Sequence, residues 1–140
     1  MGQKKQSVLL VDDEAVVRNS LSEWLIDDGY DVGIADDGEK ALKFLRKEGE
    51  YNDAPTPCLI LLDLKMPRSD GFEVLETIKA DDTMKIIPVI VLTSSDRDLD
   101  IERAYQLGCN SYIIKPVNFE NFVKAIIDIE HYWLTISELP

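Results

Sequence analysis

Cys58-Leu59-Ile60-Leu61-Leu62-Asp63-Leu64-Lys65-Met66-Pro67 is the stretch on which the reading of this fold turns. It opens with an apolar run from Cys58 to Leu62. The polar, Pro-containing segment Glu48 to Pro57 precedes that run, and turn formers follow Asp63. A short apolar run with such limits reads as a strand covered on both faces, the setting of a parallel sheet between layers of helices. Asp63 then stands at the C-terminal end of that strand, where open α/β sheets place their ligands.

Outward from this strand the pattern alternates strand and helix. Strand one is Ser7 to Val11 and ends in Asp12-Asp13. Helix one covers Ala15 to Asp28, with Val17, Leu21, Trp24 and Leu25 on one stripe, and Gly29 stops it. Strand two is Tyr30 to Ala35, and helix two is Gly38 to Lys47 with Ala41, Leu42 and Leu45 inward. Asp70 caps helix three, which buries Phe72, Leu75 and Ile78. Pro88 opens strand four, Val89 to Leu92, which ends in Thr93-Ser94-Ser95. Helix four spans Asp96 to Leu107 and stops at Gly108. Strand five is Ser111 to Ile114 and ends in Lys115-Pro116. Asn118 caps helix five, which continues to about Ile136 and leaves an extended helix end and tail over residues 130–140.

Five strands alternating with helices imply right-handed crossovers and a doubly wound α/β sheet. The expected architecture is flavodoxin-like, a five-stranded parallel sheet in the order 2-1-3-4-5. That order sets strands one and three side by side and brings Asp12, Asp13 and Asp63 to the topological switch point. A chain of 140 residues fits one domain over residues 1–140, with no room for an output domain.

Composition narrows the function classes. A net charge of −12 disfavours direct contact with nucleic-acid phosphates and with anionic membrane surfaces. No apolar segment reaches membrane-span length, and the N-terminus carries no signal-peptide core. The two cysteines, Cys58 and Cys109, and the lone His131 lack zinc-ligand spacing. The two cysteines read as small core or near-core residues of a cytoplasmic protein rather than as a disulfide.

The strand ends thus deliver acids (Asp12, Asp13, Asp63), hydroxyls (Thr93, Ser94, Ser95) and an amine (Lys115). Converging carboxylates repel one another unless a cation or protons compensate. A hard cation such as Mg²⁺ takes oxygen ligands of this kind. A carboxylate such as Asp63 can act as a nucleophile toward phosphorus, with the metal, Lys115 and Thr93 sharing charge on the phosphoryl oxygens. Each residue taken alone has a plainer role. Asp12-Asp13 suit an N-terminal cap cluster for helix one, and Thr93 and Ser94 a strand end followed by a cap. Tyr112 suits an edge-strand aromatic, and Lys115 a surface lysine.

The ordered set Val11-Asp12-Asp13-Glu14, Leu61-Leu62-Asp63-Leu64-Lys65-Met66-Pro67, Asp70-Gly71, Thr93-Ser94 and Lys115-Pro116 resembles the receiver domain of two-component response regulators, over Ser7 to Ile129. The resemblance implies a phosphorylation-dependent signalling switch. Asp63 would accept phosphate from a phosphohistidine of a histidine kinase or phosphotransfer protein. Asp12, Asp13, Asp63 and the Lys65 backbone carbonyl would hold Mg²⁺, with Mn²⁺ as a substitute. Lys115 would pair with the phosphoryl group, Thr93 and Tyr112 would form the switch, and Lys65 and Ser95 would tune phosphoryl lifetime. It also implies a cis Lys115-Pro116 bond. Its own catalysis would be self-phosphorylation and slow self-dephosphorylation, and its output a protein contact or onward phosphotransfer.

Enzyme and carrier alternatives fit less well. A haloacid-dehalogenase-like phosphatase resembles this site but carries a second acid two positions after its aspartate, where this chain has Lys65. A flavodoxin-like cofactor carrier needs a phosphate-binding loop where Asp12-Asp13-Glu14 would repel phosphate. A constitutive interaction module would not need the intact acid and lysine set. More narrowly, the ending His131-Tyr132-Trp133-Leu134 to Glu138-Leu139-Pro140 and the loop from Glu50 to Pro57 resemble single-domain regulators paired with cyanobacterial and bacterial phytochromes. The helix-one face Ala15, Arg18, Asn19 and Ser22 is the expected docking surface for the donor. Helix four, strand five and helix five form the expected output face and homodimer contact, because an edge strand needs cover and Tyr132, Trp133 and Ile136 exceed what the sheet buries.

Overall fold

A computed structural model describes residues 6–66 and 69–138, with only the backbone path described for Ser69 and for residues 130–138. The elements in chain order are β1 (Ser7–Val11), α1 (Ala15–Asp27), β2 (Asp31–Ala35), α2 (Gly38–Arg46), a 3₁₀ turn (Gly49–Tyr51), β3 (Leu59–Asp63), β4 (Lys65–Met66), β5 (Ser69–Asp70), α3 (Gly71–Ala80), β6 (Val89–Thr93), α4 (Asp98–Gln106), β7 (Ser111–Ile114) and α5 (Phe119–Glu138).

Five strands form one sheet in the order β2-β1-β3-β6-β7, and β4-β5 form a separate two-stranded ribbon. All pairings in the large sheet are parallel. Counted without the ribbon, this is the expected 2-1-3-4-5 order. Every position of β1, β3 and β6 is buried, as their unbroken apolar runs require.

The two-residue period of a strand sends alternate side chains to opposite faces and so divides the core in two. On one face Leu9, Val11, Ile60, Leu62, Val89 and Val91 pack against α2, α3 and α4. On the other Val8, Leu10, Leu59, Leu61, Ile90 and Leu92 pack against α1 and α5 through Leu21, Leu25, Phe122, Ala125, Ile126 and Ile129.

Several boundaries differ from the sequence reading. In α2 the buried large residue is Phe44, while Leu42 and Leu45 are only partly covered. Helix α4 starts at Asp98 rather than Asp96, because Ser95 Oγ accepts from the Arg97 N–H (3.3 Å) and donates to Asp100 Oδ2 (2.6 Å), holding the chain in a turn ahead of the helix. The expected stops at Gly29 and Gly108 are met, with φ of 92° and 103°, a backbone region that other residues enter at a cost. Asp70 Oδ1 accepts from the Phe72 N–H (2.9 Å), and Asn118 Oδ1 from the Asn121 N–H (2.8 Å), so both expected caps form.

Neither cysteine is in a disulfide, and burial pushes the Cys109 thiol up to about 11, as suits a small core residue. Among the described residues no helix is long and apolar enough to cross a membrane. Helix α5 runs beyond Ile136 to Glu138. Expectations about Pro67, the Leu139-Pro140 end and the side chains of His131, Tyr132, Trp133 and Ile136 lie outside the described residues.

Candidate functional site

The parallel register builds the site. Val11 pairs with Leu62, and Asp63 pairs with Leu92. The residues that follow Val11 and Leu62 therefore leave the sheet side by side. Asp12 is fully buried and Asp63 is 3% exposed. One oxygen from each of Asp12, Glu14 and Asp63 lies within 4.8 Å of the others.

Lys115 enters from β7. Its backbone N–H donates to the Thr93 carbonyl (2.8 Å), which fixes the residue beside the end of β6. The Lys115-Pro116 bond is cis, as the resemblance implied. The side chain, 9% exposed, brings Nζ to 2.6 Å from Glu14 Oε1, 2.9 Å from Asp12 Oδ2 and 3.2 Å from Asp63 Oδ2. The contact with Asp12 is an ion pair out of hydrogen-bond alignment, so Asp12 Oδ2 remains a buried oxygen without a hydrogen-bond partner.

Local bonds hold the carboxylates in place. Asp63 Oδ1 accepts from the Lys65 N–H (3.0 Å), and Asp12 Oδ1 from the Glu14 N–H (2.9 Å). Arg18 Nη1 donates to the Asp12 carbonyl (2.9 Å) from the first turns of α1. Asp12 and Asp13 do not cap α1. Its N-cap is Glu14, which makes no side-chain capping bond. Burial raises the Asp63 carboxyl to about 6, against the Lys65 N–H, with the Asp12 charge adding to the rise and Lys115 opposing it. Burial pulls Lys115 down, but its hydrogen bond to Glu14, the close Asp12 carboxylate and the charge of Asp63 outweigh that and hold it above the ordinary lysine range.

Gly71 explains part of the Asp70-Gly71 motif. A Cβ there would lie 2.4 Å from Leu64 Cα and 2.6 Å from the Asp63 carbonyl oxygen. The start of α3 thus rests directly on the backbone that carries Asp63, and the Gly71 N–H donates to the Leu64 carbonyl (3.0 Å).

Of the residues expected at the site, Asp12, Asp63 and Lys115 meet directly. Asp13 is half-buried and stands outside the set of close carboxylate oxygens, whereas Glu14 belongs to it. Thr93 is buried at the end of β6, its Oγ1 accepting from the Ser95 N–H (3.3 Å). Ser94 is exposed and Lys65 is exposed. Ser95 is buried and occupied with Asp100. The Tyr112 ring packs on the α2-α3-α4 side, and its hydroxyl donates to the Ser95 carbonyl (2.9 Å).

Sequence reasoning did not single out Glu14, Arg18 or Asp100 for these contacts. Glu14 had one signal, its place in the Asp-Asp-Glu run. Arg18 was expected on an open docking face, but it is half-buried and braces the Asp12 loop.

The oxygen-only donor set, with a buried Asp12 Oδ2 lacking a hydrogen-bond partner, suits a hard divalent cation. A recess of about 370 Å³ lined by Val16, Ser20, Ser94, Lys115 and Pro116 opens beside the amine.

Residues 8–127 match the family model of the response regulator receiver domain. Rcp1 of Synechocystis sp. is 40% identical over 137 residues, 95% of this chain and 92% of that protein. The crystal structure of the phosphorylated cyanobacterial phytochrome response regulator RcpA superposes with a TM-score of 0.81 at 40% identity, covering 98% of this chain and 99% of that one. The Mn²⁺-bound form of Rcp1 gives 0.78 at 38% identity, covering 96% and 99%. In PdtaR of Mycobacterium tuberculosis, 38% identical, the match takes 85% of this chain and 54% of that protein.

Proposed function

Since the chain belongs to the response regulator receiver family of two-component systems, we propose that Asp63 is its phosphoacceptor and that Mg²⁺ is its metal. The observation that carries this reading is the meeting of Lys115 Nζ with buried Asp63 and Asp12, at 3.2 Å and 2.9 Å, where three parallel strands end.

The donor is a phosphohistidine of a histidine kinase or phosphotransfer protein. An Asp63 oxygen attacks phosphorus, the N–P bond breaks, and the imidazole keeps the electron pair. Asp12, Asp13, Asp63 and the Lys65 backbone carbonyl hold Mg²⁺, which supplies charge neutralisation when bound. Lys115 supplies a fixed positive charge to the transferred group. Loss of the phosphoryl group to water is the domain's other reaction, slow and tuned by Lys65 and Ser95.

Thr93 and Tyr112 form the switch. Thr93 turns toward the new phosphoryl oxygens, and the Tyr112 ring, tethered to the Ser95 carbonyl, follows that loop. The output face is α4-β7-α5, where Leu99 (69% exposed), Tyr105 (49%) and Ile114 (41%) leave apolar surface suited to a homodimer contact. The donor docks at the recess beside Lys115, whose rim includes the exposed Val16. The similarity to Rcp1 and RcpA favours a phytochrome kinase as the source, and the reading implies a cytoplasmic protein.

The test is labelling with acetyl phosphate and Mg²⁺, read by intact-protein mass. One phosphoryl group is expected on the wild type and none on Asp63→Asn. Unchanged labelling of that variant overturns the assignment.

A further inference from the structure

We propose that Glu14 is a latch on Lys115, holding the amine in the resting site and giving it up when a phosphoryl group arrives on Asp63. The inference rests on the reading of Asp63 as phosphoacceptor.

The first observation is where the Glu14 side chain goes. Glu14 is the N-cap residue of α1, yet its carboxylate bonds no N–H of that helix. It reaches instead to Lys115, 101 residues away in the chain, at 2.6 Å. That is the shortest of the three Lys115 contacts, with Asp63 the longest at 3.2 Å. The Glu14 backbone is itself pinned by Asp12 Oδ1 at 2.9 Å, so the residue is positioned by the buried acid it stands beside.

The second observation is the difference in exposure among the three acids. An ammonium group has three donors, and carboxylates already surround this one. Glu14 and Asp63 take two of the three, and the phosphoryl oxygens arriving on Asp63 compete for Nζ with the partners already there. The Asp12 side chain is fully buried and that of Asp63 is 4% exposed, so neither can turn to water. The Glu14 side chain is 55% exposed and can be rehydrated at little cost. Negative charge added to Asp63 also repels Glu14 and favours its release. Glu14 is therefore a positioning residue. It steadies the lysine before transfer and weighs against the phosphorylated form.

The experiment measures binding of beryllofluoride, a non-covalent phosphoryl analogue, with Mg²⁺ by calorimetry for wild type and Glu14→Gln. Loss of a half-exposed ion pair is expected to tighten binding by about two- to fivefold. Alongside it, ¹⁵N-lysine spectra follow the Lys115 ammonium. Its resonance is expected to differ between the two free proteins and to coincide once both are saturated with beryllofluoride.

Equal or weaker binding by Glu14→Gln overturns the latch. So does tighter binding with an unchanged free resonance, which would reduce the effect to general repulsion. A difference that persists in the saturated proteins overturns release. Failure of the wild type to bind beryllofluoride would instead count against the phosphoacceptor reading itself.

Discussion

Replacing Asp63 by asparagine is expected to stabilise the metal-free protein, and to do so only above the acid range. Burial lifts the Asp63 carboxyl from 3.8 to about 6. At roughly 1.4 kcal/mol per unit of pKa, keeping it ionised in the fold costs about 3 kcal/mol. For an acid whose folded pKa is raised, the unfolded chain loses its proton first. Stability is then undiminished below pH 3.8, falls as pH rises to about 6, and is level beyond. Asparagine has nothing to ionise. Its advantage should be near zero at pH 3.5 and approach about 2–3 kcal/mol at pH 7.5, the upper end being a ceiling because Lys115 loses one of its partners. Glu14 and Asp12 still hold Lys115 in the variant, so the amine is not stranded. The assay is urea unfolding of both proteins in EDTA across this pH range, read by the shift in midpoint at constant slope. A variant no more stable than wild type at pH 7.5, or an advantage that does not grow with pH, refutes the account of Asp63 as a buried, penalised charge.

Mg²⁺ at roughly ten times its Kd should stabilise the wild type by about 1.4 kcal/mol, near 4 °C in Tm, through binding to the folded state alone. Asp13→Ala should lose most of that rise, and equal responses from the two proteins would remove Asp13 from the metal's ligands. Gly71→Ala forces a methyl group onto the Leu64 backbone at 2.4 Å, so it should cost about 2 kcal/mol or more in unfolding and weaken beryllofluoride binding together. In sedimentation velocity, beryllofluoride should shift the protein toward a dimer and Ile114→Asp should abolish the shift. A monomer in every condition removes the dimer contact.

Much of this molecule is legible in its sequence. The apolar runs Val8 to Val11, Leu59 to Leu62 and Val89 to Leu92 announce strands covered on both faces, because only a sandwiched sheet accepts apolar side chains at every position. Their alternation with helix-length amphipathic segments leaves few topologies, and the acids at the strand ends mark the ligand-binding edge. These are local signals, carried by period and composition over a few residues.

The tertiary structure decided what depends on the paths of separate loops. Asp12-Asp13-Glu14 offers three adjacent acids, and nothing in the run says which of them face inward. Glu14 bonds Lys115 while Asp13 stays outside the close set because the Asp12 carboxylate takes the Glu14 N–H and Arg18 holds the Asp12 carbonyl. Arg18 looked like an open docking residue because helical spacing reports a face and not what the preceding loop folds onto. Ser95 Oγ donates to Asp100 and holds α4 back by two residues, and its carbonyl takes the Tyr112 hydroxyl from a strand 17 residues on, neither of which the local pattern shows. Side-chain direction at the end of a strand is a long-range property. It is set by register with neighbouring strands and by packing such as that of Gly71 on Leu64, neither of which is written in the residues next door.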